Sequence, residues 1–280
     1  MPERLATRLQ SLLPALLLTR LAGRLAASTY RPLAQWLIMR FLARYAVDLS
    51  EAQPDSPQEY RSFNEFFTRP LRPGARVLAD SRWICPVDGT VSQAGRIDGN
   101  QMIQAKGQTY STLALLGGDA ALAAQVYDGS FCTLYLSPKD YHRVHMPHAG
   151  HLRRMLHVPG TLFSVNPASA RHIPGLFARN ERLVCEFDST DGPFILVLVG
   201  ATIVGSMATI WHGTVNPPRA RRVREWRYDA HDIALAPGEE MGRFQLGSTV
   251  ILLRPSGGPA FPHDWREGRA VRLGEAMSTD

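Results

Sequence analysis

Lysine is almost missing from this sequence: Lys106 and Lys139 are the only two in 280 residues, and arginine supplies the rest of the 31 basic side chains. An enzyme that captures a carbonyl group through its own lysine would have only those two candidates, so a pyridoxal-phosphate mechanism is disfavoured. Cysteine is scarce as well. Cys85, Cys132 and Cys185 are odd in number and widely spaced, which argues for reduced thiols and against a disulfide scaffold or structural zinc site. Long apolar runs are also lacking. Residues 9–19 and 32–39 fall well short of the ~20 needed to cross a bilayer, so no transmembrane helix is expected. The net charge of +6 comes without a lysine tract, a helix-turn-helix spacing or an aromatic RNA-binding signature, which argues against nucleic acid as partner. What remains is ordinary globular composition, 45% hydrophobic and 20% charged. The length suits one large domain or two modest ones.

The positive charge is concentrated at the start. Residues 1–47 hold Arg4, Arg8, Arg20, Arg24, Arg31, Arg40 and Arg44 against one acid, Glu3. Leu12, Leu13, Leu16, Leu17, Leu21 and Leu25 recur at helical spacing, and Trp36, Leu37, Phe41 and Leu42 repeat it after Arg31-Pro32, which predicts two or three basic amphipathic helices. Helices of this kind suit the headgroup boundary of an anionic membrane, at roughly 1 kcal/mol per basic residue. They serve equally well as packing elements on their own domain or on a dimer partner. A signal peptide fits less well, because Arg20 and Arg24 stand between the apolar stretch 11–18 and the small residues at 25–28. The arm is therefore expected to stay in the mature chain. The acidic, proline-containing stretch that follows reads as a linker, giving an amphipathic segment 1–47, a linker 48–60 and a body 61–280.

In the body, Ser62 is a candidate N-cap for a short aromatic helix through Phe63, Phe66 and Phe67 that Pro70 stops. Strand-like runs bounded by Gly, Pro and Asp follow at 90–94, 131–136, 183–187, 194–199, 201–204, 207–211 and 249–253. Helical pattern is weak there except around 114–125, and neither βαβ alternation nor an internal repeat is visible. The expected fold class is α+β: a mainly antiparallel β core with an N-terminal amphipathic helical segment.

Three features could carry chemistry. His142, His145, His148 and His151 step by three. Pro147 and Gly150 break any helix that would align them on a metal, and on a regular strand 142 and 145 point to opposite faces unless the backbone turns or bulges. These histidines are then either acid-base groups or imidazoles without a role. Asp88 sits in an Asp-Gly pair, which more often makes a hairpin turn than a catalytic site. Gly-Ser occurs at 129–130, 205–206 and 247–248, never in a Gly-x-Ser-x-Gly elbow, and spacing does not choose among them.

A resemblance does choose. Ser-Phe-Asn-Glu-Phe-Phe-Thr-Arg-Pro-Leu-Arg-Pro-Gly-Ala-Arg at 62–76, Pro-Val-Asp-Gly at 86–89, Tyr-His-Arg-Val-His-Met-Pro at 141–147, Phe-Ser-Val-Asn-Pro at 163–167, Leu-Phe-Ala-Arg-Asn-Glu-Arg at 176–182 and Met-Gly-Arg-Phe-Gln-Leu-Gly-Ser-Thr at 241–249 follow one another in family order. Together they resemble the bacterial, pyruvoyl-dependent phosphatidylserine decarboxylases; residues 1–60 carry no matched motif.

The resemblance implies a carboxy-lyase that matures by cutting itself between Gly247 and Ser248, leaving a β chain 1–247 and an α chain 248–280. By similarity Asp88 orients His145, His145 deprotonates Ser248, and the Ser248 alkoxide attacks the Gly247 carbonyl to form an ester, a serine-protease logic turned on the chain's own backbone. β-Elimination and hydrolysis then convert Ser248 into a covalent pyruvoyl group, with release of ammonia. This cofactor forms a Schiff base with phosphatidylserine and accepts the electron pair left as carbon dioxide departs, giving phosphatidylethanolamine. His142 is the matched candidate for proton donor or for positioning the substrate carboxylate. No metal is implied. The implied partners are an anionic phospholipid membrane and the two chains of one precursor, with a homodimer compatible, and the implied location is peripheral, on the cytoplasmic face of the cell membrane. Two rivals remain: a serine hydrolase using Asp88, His145 and Ser248 on an external ester with the chain uncut, and a non-catalytic membrane-surface protein.

Overall fold

The structure is a computed structural model and describes residues 15–105, 107–201, 206–216, 220–245 and 248–279. The arm supplies two helices, α1 (Ala15–Ala27) and α2 (Arg31–Tyr45); a 3-10 turn (Pro57–Glu59) and α3 (Phe63–Phe67) follow. The body contains β1 (Gly89–Arg96), β2 (Gln101–Ala105), β3 (Gln108–Ser111), α4 (Thr112–Leu115), α5 (Ala120–Gln125), β4 (Ser130–Leu136), β5 (Arg143–His145), β6 (Gly150–Val158), α6 (Pro167–His172) and α7 (Leu176–Arg179). It continues with β7 (Arg182–Asp188), β8 (Phe194–Val199), β9 (Met207–Thr209), β10 (Gly213–Thr214), β11 (Arg224–Arg227), β12 (Ala234–Leu235), β13 (Glu240–Phe244), β14 (Ser248–Arg254) and β15 (Ala270–Val271). The fold class is α+β, and every pairing between these strands is antiparallel.

Nine strands form the main sheet in the order β11-β6-β7-β8-β14-β4-β1-β15, with β12 also on β6; four form a second sheet, β10-β9-β13-β5. The main sheet is covered on both faces. On β14, Val250 and Leu252 enter one core with Trp83, Leu134 and Phe194, while Ile251 and Leu253 enter another with Phe131, Val184 and Phe177. That explains why β8 and β14 read as continuous apolar runs: either face of the strand meets side chains rather than water. Each large apolar side chain so buried contributes roughly 1.5–3 kcal/mol.

A third, smaller core joins the arm to the body. Ala26 of α1 and Ile38 of α2 pack with Tyr60, Phe63, Phe66 and Phe67, and Phe41 lies 5.1 Å from Phe63 and 5.9 Å from both Phe66 and Phe67. Ser62 caps α3 by accepting from the Glu65 amide, as its position suggested. The stretch expected as a linker is held against its neighbours: Ala52 is buried and bridges Leu71, and Gln35 donates to the carbonyls of Pro57 and Tyr60. The helix expected around 114–125 is two short helices, α4 and α5, parted at Gly117 and Gly118, both at positive φ. Of the expected strand at 201–204, residues 202–204 lie outside the described residues, as do the arm's first leucines, Leu12 and Leu13.

Candidate active site

Ser248 is the first residue of β14, the strand between β8 and β4, and stands opposite Leu136 at the end of β4. It is fully buried and its Oγ has no hydrogen-bond partner among the described residues. A buried hydroxyl left unpaired forfeits about 1–3 kcal/mol, so its retention at the head of a core strand calls for a reason. Gly247 lies outside the described residues.

From Leu136 the chain turns through Ser137 to the histidine-bearing segment. Ser137 donates both its amide and its hydroxyl to the Asp140 carboxylate, each at 2.7 Å, which closes the turn. His142 follows, fully buried, its ring 4.1 Å from that of Phe67 on α3. Its Nδ1 is 2.7 Å from the Asp140 carbonyl. A carbonyl only accepts, so Nδ1 carries the proton, and Nε2 is left without a partner among the described residues. Burial, and then the positive charge of Arg69, push the imidazole down to about 3 against a bond to Asp140 that acts the other way. The ring is therefore neutral at physiological pH, with a bare Nε2.

His145 sits on β5, where Val144 turns into the core and His145 lies on the other side, half-buried. Its Nδ1 donates to the Gly238 carbonyl at 2.7 Å, and its Nε2 faces the Tyr141 hydroxyl at 3.0 Å. Gly238 is at φ 80, a conformation that favours glycine, and a Cβ there would meet Leu78 Cδ1 at 2.5 Å. Burial lowers the His145 pKa, which keeps Nε2 available as a base.

Asp88 immediately precedes β1 and so is not in a hairpin turn. Gly89 after it lets β1 approach β4: a Cβ at Gly89 would fall 2.5 Å from the Tyr135 carbonyl oxygen. The Asp88 carboxylate accepts from Arg76 Nε at 3.0 Å, from Arg76 Nη2 and from the Leu273 amide at 2.9 Å. Arg76 also reaches Glu51 at 2.8 Å. The structure brings Asp88 and His145 onto joined segments, since the His145 amide donates to the Pro86 carbonyl at 2.9 Å, and the Asp88 charge acts on the His145 ring. Their side chains do not share a hydrogen bond: the nitrogen a triad carboxylate would hold, Nδ1, is taken by Gly238.

The other stepping histidines go elsewhere. His148 packs on Trp83 at 4.6 Å and lies 3.5 Å from Asp191, and His151 is exposed on β6. Sequence reasoning missed Tyr141, Gly238, Arg76 and Arg69 as neighbours of the site. Tyr141, Arg76 and Arg69 stand inside the family-like blocks, whereas a backbone carbonyl such as that of Gly238 leaves no side-chain signal.

The parts of the site are a serine buried at the head of a core strand with no hydrogen-bond partner among the described residues, two histidines on the segment that follows β4 whose burial favours the neutral form, and a carboxylate just before β1 held by arginine, a set that suits a self-processing class of protein. The sequence comparisons name the family. A family model described as phosphatidylserine decarboxylase matches residues 63–279, and a second, described as PSD, matches residues 5–46. The chain is 60% identical over 279 residues to a phosphatidylserine decarboxylase proenzyme of Delftia acidovorans, covering 99% of this chain and 98% of that one. It is 60% identical over 278 residues to a proenzyme of the same name from Methylibium petroleiphilum, with the same coverage, and 58% identical over 280 residues to one from Dechloromonas aromatica, covering 100% and 99%. This chain belongs to the phosphatidylserine decarboxylase family.

Proposed function

We propose that Ser248, His145 and Asp88 carry out self-cleavage and that His142 serves the decarboxylation that follows. The chain is a proenzyme that cuts itself at Gly247-Ser248 and, as a pyruvoyl-dependent lyase, converts phosphatidylserine to phosphatidylethanolamine and carbon dioxide. The observation that carries the reading is that two buried polar atoms, Ser248 Oγ and His142 Nε2, have no hydrogen-bond partner among the described residues.

His145 Nε2 takes the Ser248 hydroxyl proton once Tyr141 gives way, and Asp88 stabilises the imidazolium through its charge rather than by a direct bond. Ser248 Oγ then bonds to the Gly247 carbonyl carbon as the peptide C–N bond breaks, and elimination across residue 248 frees the carboxylate of the 1–247 chain. The pyruvoyl group that residue 248 becomes supplies the electron sink for loss of the carboxylate. His142 Nε2, being bare, accepts rather than donates. It is therefore fitted to take up a proton and return it to the carbon that lost carbon dioxide, and not to hold the substrate carboxylate while neutral.

The division that goes with this mechanism is an arm at 1–47, a connecting stretch at 48–60 and a catalytic body from 61, cut into chains 1–247 and 248–280. Leu21, Leu25, Tyr30, Trp36, Met39 and Tyr45 are exposed on the arm helices together with Arg24, Arg31, Arg40 and Arg44. No helix among the described residues is long and apolar enough to cross a membrane. This exposed face docks on the anionic cytoplasmic leaflet as a peripheral contact. The arm core ends at Phe67, which packs on His142, so the lipid-facing helices and the site share one cluster. Denaturing intact-mass measurement of the purified protein tests the reading: two chains parting before Ser248, the shorter with a blocked terminus, support it, and one full-length chain with esterase activity favours the hydrolase.

A further inference from the structure

Arg69 lies two residues after α3 and is only 4% exposed. A guanidinium this deep is costly unless paired. Among the described residues no carboxylate forms an ion pair with it. Its Nη2 donates to the Lys139 carbonyl at 3.0 Å and lies 3.5 Å from the Asp140 carbonyl, its carbon sits 5.6 Å from the Phe66 ring, and its buried Nη1 has no partner among the described residues. The Asp140 carbonyl is the acceptor that also holds His142 Nδ1, at 2.7 Å. One oxygen thus faces both Arg69 and the imidazole proposed to move a proton. Phe66 under the arginine and Phe67 against the imidazole are neighbours on the same helix, so α3 presents both groups from one scaffold.

We infer that Arg69 is a positioning residue for His142, acting through the shared Asp140 carbonyl. The guanidinium fixes the 139–140 peptide groups, and the fixed carbonyl leaves His142 one tautomer, with Nδ1 protonated and Nε2 bare. Its charge favours the neutral resting form of the ring, so a proton taken up at Nε2 during turnover is readily given back. Other groups do not take over this task. The Asp140 carboxylate is turned to Ser137, Phe244 of β13 meets His142 through its amide at 3.1 Å, and Phe67 is apolar. Arg69 is also the charged side chain that acts on the His142 ring, in the same direction as burial. This accounts for a buried unpaired charge that the core would be better without.

The inference rests on the reading of His142 given above, and the test separates the two. In the full-length Ser248→Ala chain, which stays uncut, 15N chemical shifts of the His142 side chain report tautomer and charge directly. With Arg69 present they should show one neutral, Nδ1-protonated form from pH 5 to 8. With Arg69→Met they should show a mixture of tautomers, or a protonated fraction growing toward acid pH. In the processed enzyme, Arg69→Met should lower kcat by about tenfold or more, with a smaller change in KM and a shifted acid limb of the pH profile, while self-cleavage proceeds. Arg69→Lys, with a cation on a simpler head, should fall between, and it takes the place of Arg69→Met if that variant does not fold. Unchanged His142 shifts in a folded Arg69 variant overturn the inference even if kcat falls, because a merely structural role predicts that. Full turnover by a processed His142→Ala enzyme overturns instead the reading of His142 and leaves the shift measurement to decide Arg69.

Discussion

The two ends of β14 are both polar and both buried, yet they are built oppositely. At one end the Ser248 side chain has no hydrogen-bond partner among the described residues. At the other, six residues on, Arg254 is held through two of its three nitrogens: Nε donates to Ser130 Oγ at 3.1 Å, Nη2 to the Pro259 carbonyl at 2.9 Å, and the guanidinium, whose Nη1 has no partner among the described residues, lies 4.1 Å from the Phe261 ring and 5.3 Å from Trp83. Burial pulls its pKa down to about 10, which still leaves it charged at neutral pH. Between them the residues from Val250 to Leu253 fill the two cores. The difference teaches how one strand serves a self-cutting precursor. The reactive end is left unsatisfied so that its hydroxyl is free to leave its ground state, while the far end anchors the segment that becomes a separate chain.

Breaking the reactive end should have the largest effect. Ser248→Ala removes the nucleophile and the precursor of the pyruvoyl group at once, so both cutting and turnover should vanish; intact mass and a carbon dioxide assay check this, and a processed, active Ser248→Ala chain would sink the reading. His142→Ala sharpens it. Cutting should be normal, since His145 is assigned to that step, while turnover should fall by about 10²–10⁴, the usual worth of a positioned acid-base group. The same residue carries a stability signature. Its pKa is lowered on folding, so the unfolded chain binds the extra proton first, and the native state should lose stability as pH falls from 6.5 toward about 3. In thermal unfolding across that range, the Ser248→Ala chain should therefore show a steeper acid loss than the same chain carrying His142→Ala.

At the anchored end the expected effect is structural. Arg254→Ala opens a void between Trp83 and Phe261 and leaves Ser130 Oγ and the Pro259 carbonyl without their donor, which should cost about 3 kcal/mol. Cutting should persist, because the change is at the opposite end of the strand. Retention of the 248–280 chain on a native sizing column after cutting, followed by denaturant unfolding, measures it. A variant as stable as the parent would show that the sheet pairing of β14 with β4 and β8 alone holds the chain.

This contrast also governs what was legible beforehand. The runs at 194–199 and 249–253 could be read because both faces of β8 and β14 are covered, so every residue except Thr249 is apolar. β6 was missed for the reverse reason: exposed His151 and half-buried Arg154 break its apolar run, and a register shift between Leu152 and Arg154 spoils the alternation. β13, shifted between Glu240 and Gly242 against β5, was hidden in the same way. In the site, Ser248, His142, His145 and Asp88 were reached through motif resemblance, since spacing left them among several choices. That Asp88 is held by Arg76 and His145 by the Gly238 carbonyl could not be read, because one contact spans distant segments and the other is made by backbone.

The smallest expected effect lies where the two future chains meet at the surface. Arg272, in the 248–280 segment, reaches Glu51, and Glu51 also receives Arg76, which holds Asp88. The chain of contacts invites the idea that the surface pair tunes the site. Its energetics argue otherwise: the Arg272 side chain is 55% exposed and that of Glu51 35%, so water and salt screen the pair, whereas the Arg76 side chain is only 8% exposed and bonds Asp88 at two atoms. Arg272→Ala should therefore change stability by no more than about 1 kcal/mol, less at high salt, and leave the cutting rate as it is. Arg76→Ala, which leaves the buried Asp88 carboxylate with one donor, should slow cutting markedly. Time courses of the two variants, followed by mass from the first appearance of uncut chain, decide between a site set by its buried arginine and one set by the rim. Equal slowing in both would show that the surface pair reaches Asp88 after all.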